Sequence, residues 1–376
     1  MKKLSIFLLN IFIAVNLSAG ETGSASMQFL NIAPNARVAA MGDSFTAQAD
    51  DVSAAYWNPG GLNYLKNMEV GVNYNLYIEN ISFLNVMFAK NFSFGGLGVN
   101  LSALSFGSID NYVDGELAGT ISPTDLLFSV SYSREIMYNL SIGGTFKFMS
   151  ESLTDEHTGS GIGFDVGLLY NDPLGIFIKK SFVKPLKFGF TVQNIGIGPK
   201  YETDNNSLPL SIKFGFAYKY RFAHSVAMLK DINLMLDFVV PNDASFGIRY
   251  GTELWWYNLG GMVDAALRFG IKAPQDLGFV SGITAGLGIR IYGIEIDYAV
   301  VNMGDLGLTH RIGMDYKFGA IVKPKEVFIK EPAEEKKSVE KEDANKKKEE
   351  LEKEDELNED NFEDDSDTEE ELDLEE

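Results

Sequence analysis

The chain has 376 residues, 45% of them hydrophobic and 23% charged, with a formal net charge of -21 at pH 7. It has no cysteine, which excludes disulfides, thiolate metal sites, cysteine nucleophiles and a lipidated N-terminal cysteine. Residues 330–376 hold 24 acids and 8 lysines, a net of −16, so the remainder carries only −5, and nothing clusters base with aromatic as nucleic-acid binding requires.

The first segment, "MKKLSIFLLNIFIAVNLSAG", has Lys2 and Lys3, an apolar core from Leu4 to Val15 and then small residues. This is signal-peptide grammar, and residues 1–19 are read as a cleaved export signal ending at Ala19. The apolar run is too short for a spanning helix, which needs about 20 residues. No later segment reads as a transmembrane helix.

Residues 28–66 do not alternate. Met41, Phe45, Ala49, Val52 and Tyr56 recur at spacings of three or four, which is helical. Gly42 and Asp43 interrupt the pattern, so two short helices are expected. Asp50 or Asp51 suits the N-cap of the second, because a carboxylate accepts from free backbone N–H groups. Asn58 precedes Pro59, which disfavours helix there, and Gly60 and Gly61 are expected to turn the chain sharply into the first strand.

From Met68 to Phe318 the period is two. In "SGITAGLGIRI", Ile283, Ala285, Leu287, Ile289 and Ile291 share one face, while Thr284, Gly286, Gly288 and Arg290 share the other. About 14 such segments are expected: 68–77, 81–91, 94–107, 124–135, 140–152, 161–171, 186–194, 208–221, 232–240, 244–257, 262–272, 281–291, 294–301 and 308–318. Many reach the roughly 9–11 residues that a tilted membrane strand needs. The polar face joins glycine to charge, as at Lys147, Asp165, Lys213, Arg249, Arg268, Arg290, Glu295, Asp297, Asp315 and Lys317. Lipid on one side and a wet or filled lumen on the other produce this pattern. A soluble sandwich also alternates, with its apolar face inward. Export, strand number and strand length favour an all-β, 14-stranded antiparallel transmembrane β-barrel. Tyr74, Tyr77, Tyr138, Tyr170, Tyr292 and Tyr298 lie near strand ends and suit interfacial girdles.

An even strand number puts both barrel ends on one side, expected to be the periplasm. Long polar connections at 108–123, 153–160 and 195–207 then fall outside the cell. The connection at 172–185 is long where a short periplasmic one is expected. Beyond residue 320 the chain turns acidic. Glu and Lys mix at first, and the last part is nearly all acid, so 321–376 is expected to be a largely disordered periplasmic tail.

The stretch "RVAAMGDSFTAQADDVSAAYWNPGGL" resembles the N-terminal signature of FadL-like outer-membrane proteins, especially the PorV/PorQ branch; similar spirochaetal proteins have no assigned function. The likeness rests on Arg37, Ala40, Met41, Gly42, Asp43, Ala49, Asp50, Asp51, Ser53, Asn58, Pro59, Gly61 and Leu62, with Gly60 where the family usually has Ala. The resemblance implies a 14-stranded barrel at 67–320 with the segment 20–66 as a plug in its lumen. It implies outer-membrane lipid as surroundings and either of two jobs. One is passive transport of a hydrophobic small molecule such as a long-chain fatty acid. The other is a PorV-like scaffold for secretion or surface attachment of an exported protein partner. Fold alone does not choose between them.

Arg37, Gly42, Asp43, Asp50, Asp51, Asn58, Pro59 and Gly60 are thus candidates for holding or gating the plug. Arg249, Arg268, Arg290 and Arg311 are basic residues of the polar face. They are open to three readings: partners for plug acids, lining of a wet pore, or contacts to a ligand head group. His157, His224 and His310 lie apart with no second histidine at ligand spacing, so no zinc site, catalytic triad or cofactor is expected.

Overall fold

The computed structural model describes residues 25–154, 158–173, 186–201, 204–226, 229–273 and 279–319. The export segment 1–19, all of the 172–185 connection beyond residue 173, His157 and the acidic tail lie outside the described residues.

Fourteen strands close one antiparallel barrel. They are β1 (Glu69–Leu76), β2 (Ser82–Phe92), β3 (Gly95–Ser105), β4 (Thr124–Met137), β5 (Leu140–Ser152), β6 (Thr158–Asn171) and β7 (Leu186–Tyr201). The second half is β8 (Ser211–Val226), β9 (Leu229–Pro241), β10 (Gly247–Leu259), β11 (Val263–Ala273), β12 (Ile283–Ile291), β13 (Ile294–Asn302) and β14 (Leu308–Lys317). Each strand pairs with its sequence neighbour, and β14 closes on β1 with Lys317 opposite Glu69. The chain therefore enters β1 and leaves β14 at the same end, here called the terminal rim; the other end is the distal rim. Each expected strand segment corresponds to one of these strands.

Burial follows the period of two but is inverted relative to a soluble sandwich. Leu101, Phe164, Leu287, Ile296 and Ile312 point outward and are about half exposed, whereas Asn100, Asp165, Arg268, Glu295 and Arg311 point inward and are buried. An apolar belt of this extent on a water-facing surface is not sustained by soluble monomers, so lipid is its solvent. No helix among the described residues is long and apolar enough to cross a membrane; the strands do so.

The N-terminal segment fills the lumen. It holds two short helices, α1 (Ala36–Ala40) and α2 (Ala54–Trp57), flanked by 3-10 turns at Gln28–Asn31 and Pro59–Tyr64. The two helices and their interruption are as the sequence suggests: α1 ends at Ala40, and Gly42 and Asp43 both take positive φ, 64° and 59°. The molecule's apolar core lies between plug and wall, with Val38, Met41, Phe45 and Val52 packed among Phe83, Met87, Leu127 and Met149. Many plug positions are alanine because the plug backbone runs close to glycines on the wall. A Cβ at Gly270 would stand 2.0 Å from the Gly42 nitrogen, and one at Gly143 would stand 2.6 Å from the Pro59 carbonyl carbon.

Three local expectations are corrected. Pro59-Gly60-Gly61 does not turn straight into β1; it opens a 3-10 helix to Tyr64, and β1 starts at Glu69. Residues 108–123 are a β-hairpin, Ile109–Val113 paired with Glu116–Ile121, beyond the distal rim. The described residues of 195–207 are strand rather than loop: β7 continues to Tyr201, and Asp204–Ser207 pairs back along it. The cause in the last case is a bulge. Pairing between β6 and β7 shifts beside Asp165, and Asn194 takes φ 61°. Its N–H donates to Asp165 (2.8 Å), and Lys147 donates to its side-chain oxygen (2.7 Å). The bulge lets the strand bend and run on.

Candidate functional site

Arg37, on α1, is the centre of the plug's attachment. Its Nε and Nη2 each donate to Glu253 of β10 at 2.9 Å, a two-pronged pair, while Nη1 reaches Asp50 (2.8 Å) and Asp51 (2.5 Å). Glu253 also accepts from Arg268 of β11 (2.8 Å) and Asn233 of β9 (2.8 Å). Arg268 in turn donates to Asp297 (2.5 Å) and Glu295 (3.0 Å) on β13, and Glu295 accepts from Arg290 of β12 (2.7 Å). One continuous ion network thus runs from the plug across five strands. Guanidinium suits this position because its planar fork serves several carboxylates at fixed angles. Burial opposes the charge of Arg37, but Asp50, Glu253 and Asp51 outweigh it and hold its pKa well above the ordinary value. Desolvation inside the lumen likewise opposes ionisation of Asp50; Arg37 and then Lys187 outweigh it, so the carboxyl is held below its ordinary range.

The two acids divide the work. Asp51 is buried and accepts from the Ser53 N–H (2.9 Å) and hydroxyl just ahead of α2. The N-cap position itself is Ser53, whose side chain makes no cap bond, so the expected capping carboxylate acts two residues upstream as an Asx turn. Asp50 accepts from Arg37 and from Gln48 (2.6 Å) instead. Asn58 is a second anchor. Its amide donates to Thr46 O (2.6 Å) in the plug and Leu168 O (3.0 Å) on β6, and its oxygen accepts from Gly60 N–H (3.0 Å). Pro59 lies against the wall at Gly143 and Gly167. Asp237 of β9 accepts the N–H groups of Phe45 (2.9 Å) and Thr46 (2.8 Å), fixing the turn between the helices.

A cavity of about 630 Å³ opens between the N-terminal segment and the wall toward the distal rim. Met27, Phe29, Leu104, Phe106, Val301 and Met303 give it apolar surface. Its basic side chains are Arg249, Lys272 and Arg311. Lys272 is ion-paired with Asp43. Burial raises the Asp43 carboxyl, but Lys272 and then Arg311 overcome that and lower it. Arg311 donates to Ala33 O (2.8 Å) and Tyr77 Oη (2.8 Å), which leaves its buried Nε without a partner; Nη1 of Arg249 is also buried and unpartnered. Tyr77 therefore turns into the lumen and does not join an outer girdle.

The four arginines of the polar face separate into two pairs. Arg249 and Arg311 line the cavity. Arg268 is fully buried with all three of its nitrogens donating to carboxylates, and Arg290 bonds Glu295 and stacks on Trp255 (4.2 Å to the ring centre), so neither is placed to meet a head group. His310 bonds Tyr298 (2.7 Å) on the neighbouring strand. Sequence reading did not single out Glu253, Lys272 or Asp125. Glu253 lies four residues from Arg249, hence on the same face, and that parity is the signal that could have found it.

A closed barrel with an apolar outer belt and a polar lumen filled by its own N-terminal segment is an outer-membrane β-barrel of the plugged type. The chain belongs to the family described as type IX secretion system protein PorV, which matches residues 19–243. Among solved structures it is similar to the Pseudomonas putida toluene transporter TodX, at 9% identity and TM-score 0.46 over 79% of this chain and 96% of that one. It is also similar to the CymD monoaromatic hydrocarbon channel (12%, 0.47, 76% and 97%) and to a Pseudomonas aeruginosa FadL homologue (10%, 0.45, 76% and 98%). No curated protein matches the sequence.

Proposed function

We propose that this outer-membrane barrel binds one anionic amphiphile of the long-chain fatty-acid kind in the distal-rim cavity, as the first step of passive transport. The distal rim faces outward and the terminal rim faces the periplasm. The observation that carries the reading is the cavity's lining: an apolar floor beside two guanidinium groups, each with an unpartnered buried nitrogen. An unsatisfied buried donor is costly, and a carboxylate arriving there supplies the missing acceptor. Passage beyond the cavity requires the plug to shift, because Ala36–Met41 are buried across the lumen and Arg37 ties them to β10.

The full chain in lipid nanodiscs is expected to bind dodecanoate saturably, after subtraction of binding to empty discs. The R249Q/R311Q double variant is expected to bind at least about tenfold more weakly, the loss of one charge-assisted contact or more. Equal binding by the two proteins refutes the reading.

A PorV-like scaffold for exported proteins is the second reading. It is favoured by the family and by the distal hairpin, which leaves Ile109, Tyr112 and Leu117 exposed. Under that reading, native mass spectrometry after gentle extraction finds a retained protein rather than a lipid-like ligand. Substitutions in 108–123 then abolish capture, whereas plug substitutions such as Asp50→Asn spare it.

A further inference from the structure

The same cavity carries charge of both signs: Asp43 pairs with Lys272 within it, and further charges stand around the wall. Arg249 and Lys272 project from β10 and β11. Asp125 and Glu151 project from β4 and β5, where they face each other in register, and both line the cavity. Five strands lie between β4 and β10 in a barrel of fourteen, so Asp125 and Arg249 stand nearly across the lumen from each other, with Arg311 on β14 between them. Asp125 is 4% exposed, and its Oδ1 has no hydrogen-bond partner in the protein. Neither it nor Arg249 nor Arg311 forms an ion pair with any described residue, whereas Arg37, Lys147, Arg268 and Lys272 each do. The unpartnered Asp125 oxygen attracts a cation, and one arriving there offsets the burial of that carboxylate.

Resting on the cavity reading above, we infer that the ligand is two-headed: a small amphiphile with an anionic group at one end and an ammonium group at the other. The anion sits at Arg249 and Arg311, and the ammonium sits at Asp125 beside Glu151. The alkyl body crosses the apolar surface of Phe29, Leu104 and Phe106 between them. A simple fatty acid satisfies only the basic wall and leaves Asp125 as it was. A simple alkylamine satisfies only the acidic one.

The test is calorimetric titration of the full chain in nanodiscs with three probes of equal chain length: ω-aminododecanoate, dodecanoate and dodecylamine. The expected order puts ω-aminododecanoate tightest, by about tenfold over either single-headed probe, the factor for one added charge-assisted hydrogen bond. In the D125N variant the order is expected to cross: ω-aminododecanoate weakens about tenfold, and dodecanoate tightens as the repelling carboxylate is lost. Either single-headed probe binding as tightly as the two-headed one in the unaltered protein overturns the inference. If that probe is dodecanoate, the anionic-ligand reading survives. No binding by any of the three overturns both. The unaltered protein alone decides the order, so the conclusion stands whether or not D125N folds.

Discussion

Replacing Arg37 by methionine removes the cation that joins plug to wall while keeping most of the side chain's bulk. Glu253 retains Arg268 and Asn233, so it stays compensated. Asp50 retains Gln48. The loss centres on Asp51, which is 1% exposed and keeps only Ser53. Breaking a buried pair from one side costs about 3–5 kcal/mol, and the surviving partners place this case at the lower end. About 3 kcal/mol corresponds to a roughly hundredfold rise in the population with the plug undocked. Hydrogen exchange over residues 36–57, measured by mass spectrometry on the protein in nanodiscs, reads that population. Strand amides and the mobility of the unheated protein on a gel are expected to stay unchanged, because the barrel hydrogen bonds do not involve Arg37. R37K keeps the charge but loses the fork and is expected to fall between R37M and the parent. Plug exchange within twofold of the parent in R37M refutes the claim that this network is what holds the plug.

Gly270→Ala places a Cβ 2.0 Å from the Gly42 nitrogen and is expected to weaken plug docking by about 1–3 kcal/mol, whereas Gly144→Ala on the outer face has no such contact and leaves it unchanged; plug exchange again checks both. Asn58→Ala removes two hydrogen bonds within the plug and one to the wall and is expected to cost about 1–3 kcal/mol, seen as faster proteolysis between residues 46 and 64. The pH dependence follows from Asp43 and Asp50, whose folded values lie below the ordinary carboxylate value near 4. Their contribution is complete above that value and is lost as pH falls from it toward the depressed folded values. Plug protection is therefore expected to hold from pH 8 to about pH 5 and to fall below about pH 4.

The barrel was legible because strand periodicity is a local property. Side chains from Met68 to Phe318 report inside or outside at every second residue, and long segments give the pattern many chances to show itself. The errors fell where local chemistry hides a pairing. Nothing around Asn194 announces that its positive φ, held by Asp165 and Lys147, lets β7 run on to Tyr201. The plug's helices and their break at Gly42-Asp43 were visible from spacing and turn residues. The partner of Arg37 was not, because Glu253 lies 216 residues away and only the closed barrel brings it near. The four basic residues of the polar face looked equivalent for the same reason. Cross-strand neighbours decide which of them are consumed: Glu253, Glu295 and Asp297 around Arg268, and open cavity beside Arg249 and Arg311.

The chain's three tryptophans offer the most direct test of a plugged barrel in lipid. Trp57 is buried in the plug, Trp255 is buried on the luminal face, and Trp256 lies on the opposite face of the same strand. In vesicles of brominated lipid, a variant keeping only Trp256 (W57F/W255F) is predicted to be strongly quenched. One keeping only Trp57 (W255F/W256F) is predicted to retain nearly all its fluorescence. Equal quenching of the two would contradict a plug enclosed by the barrel, and no quenching of Trp256 would contradict the membrane-spanning barrel itself.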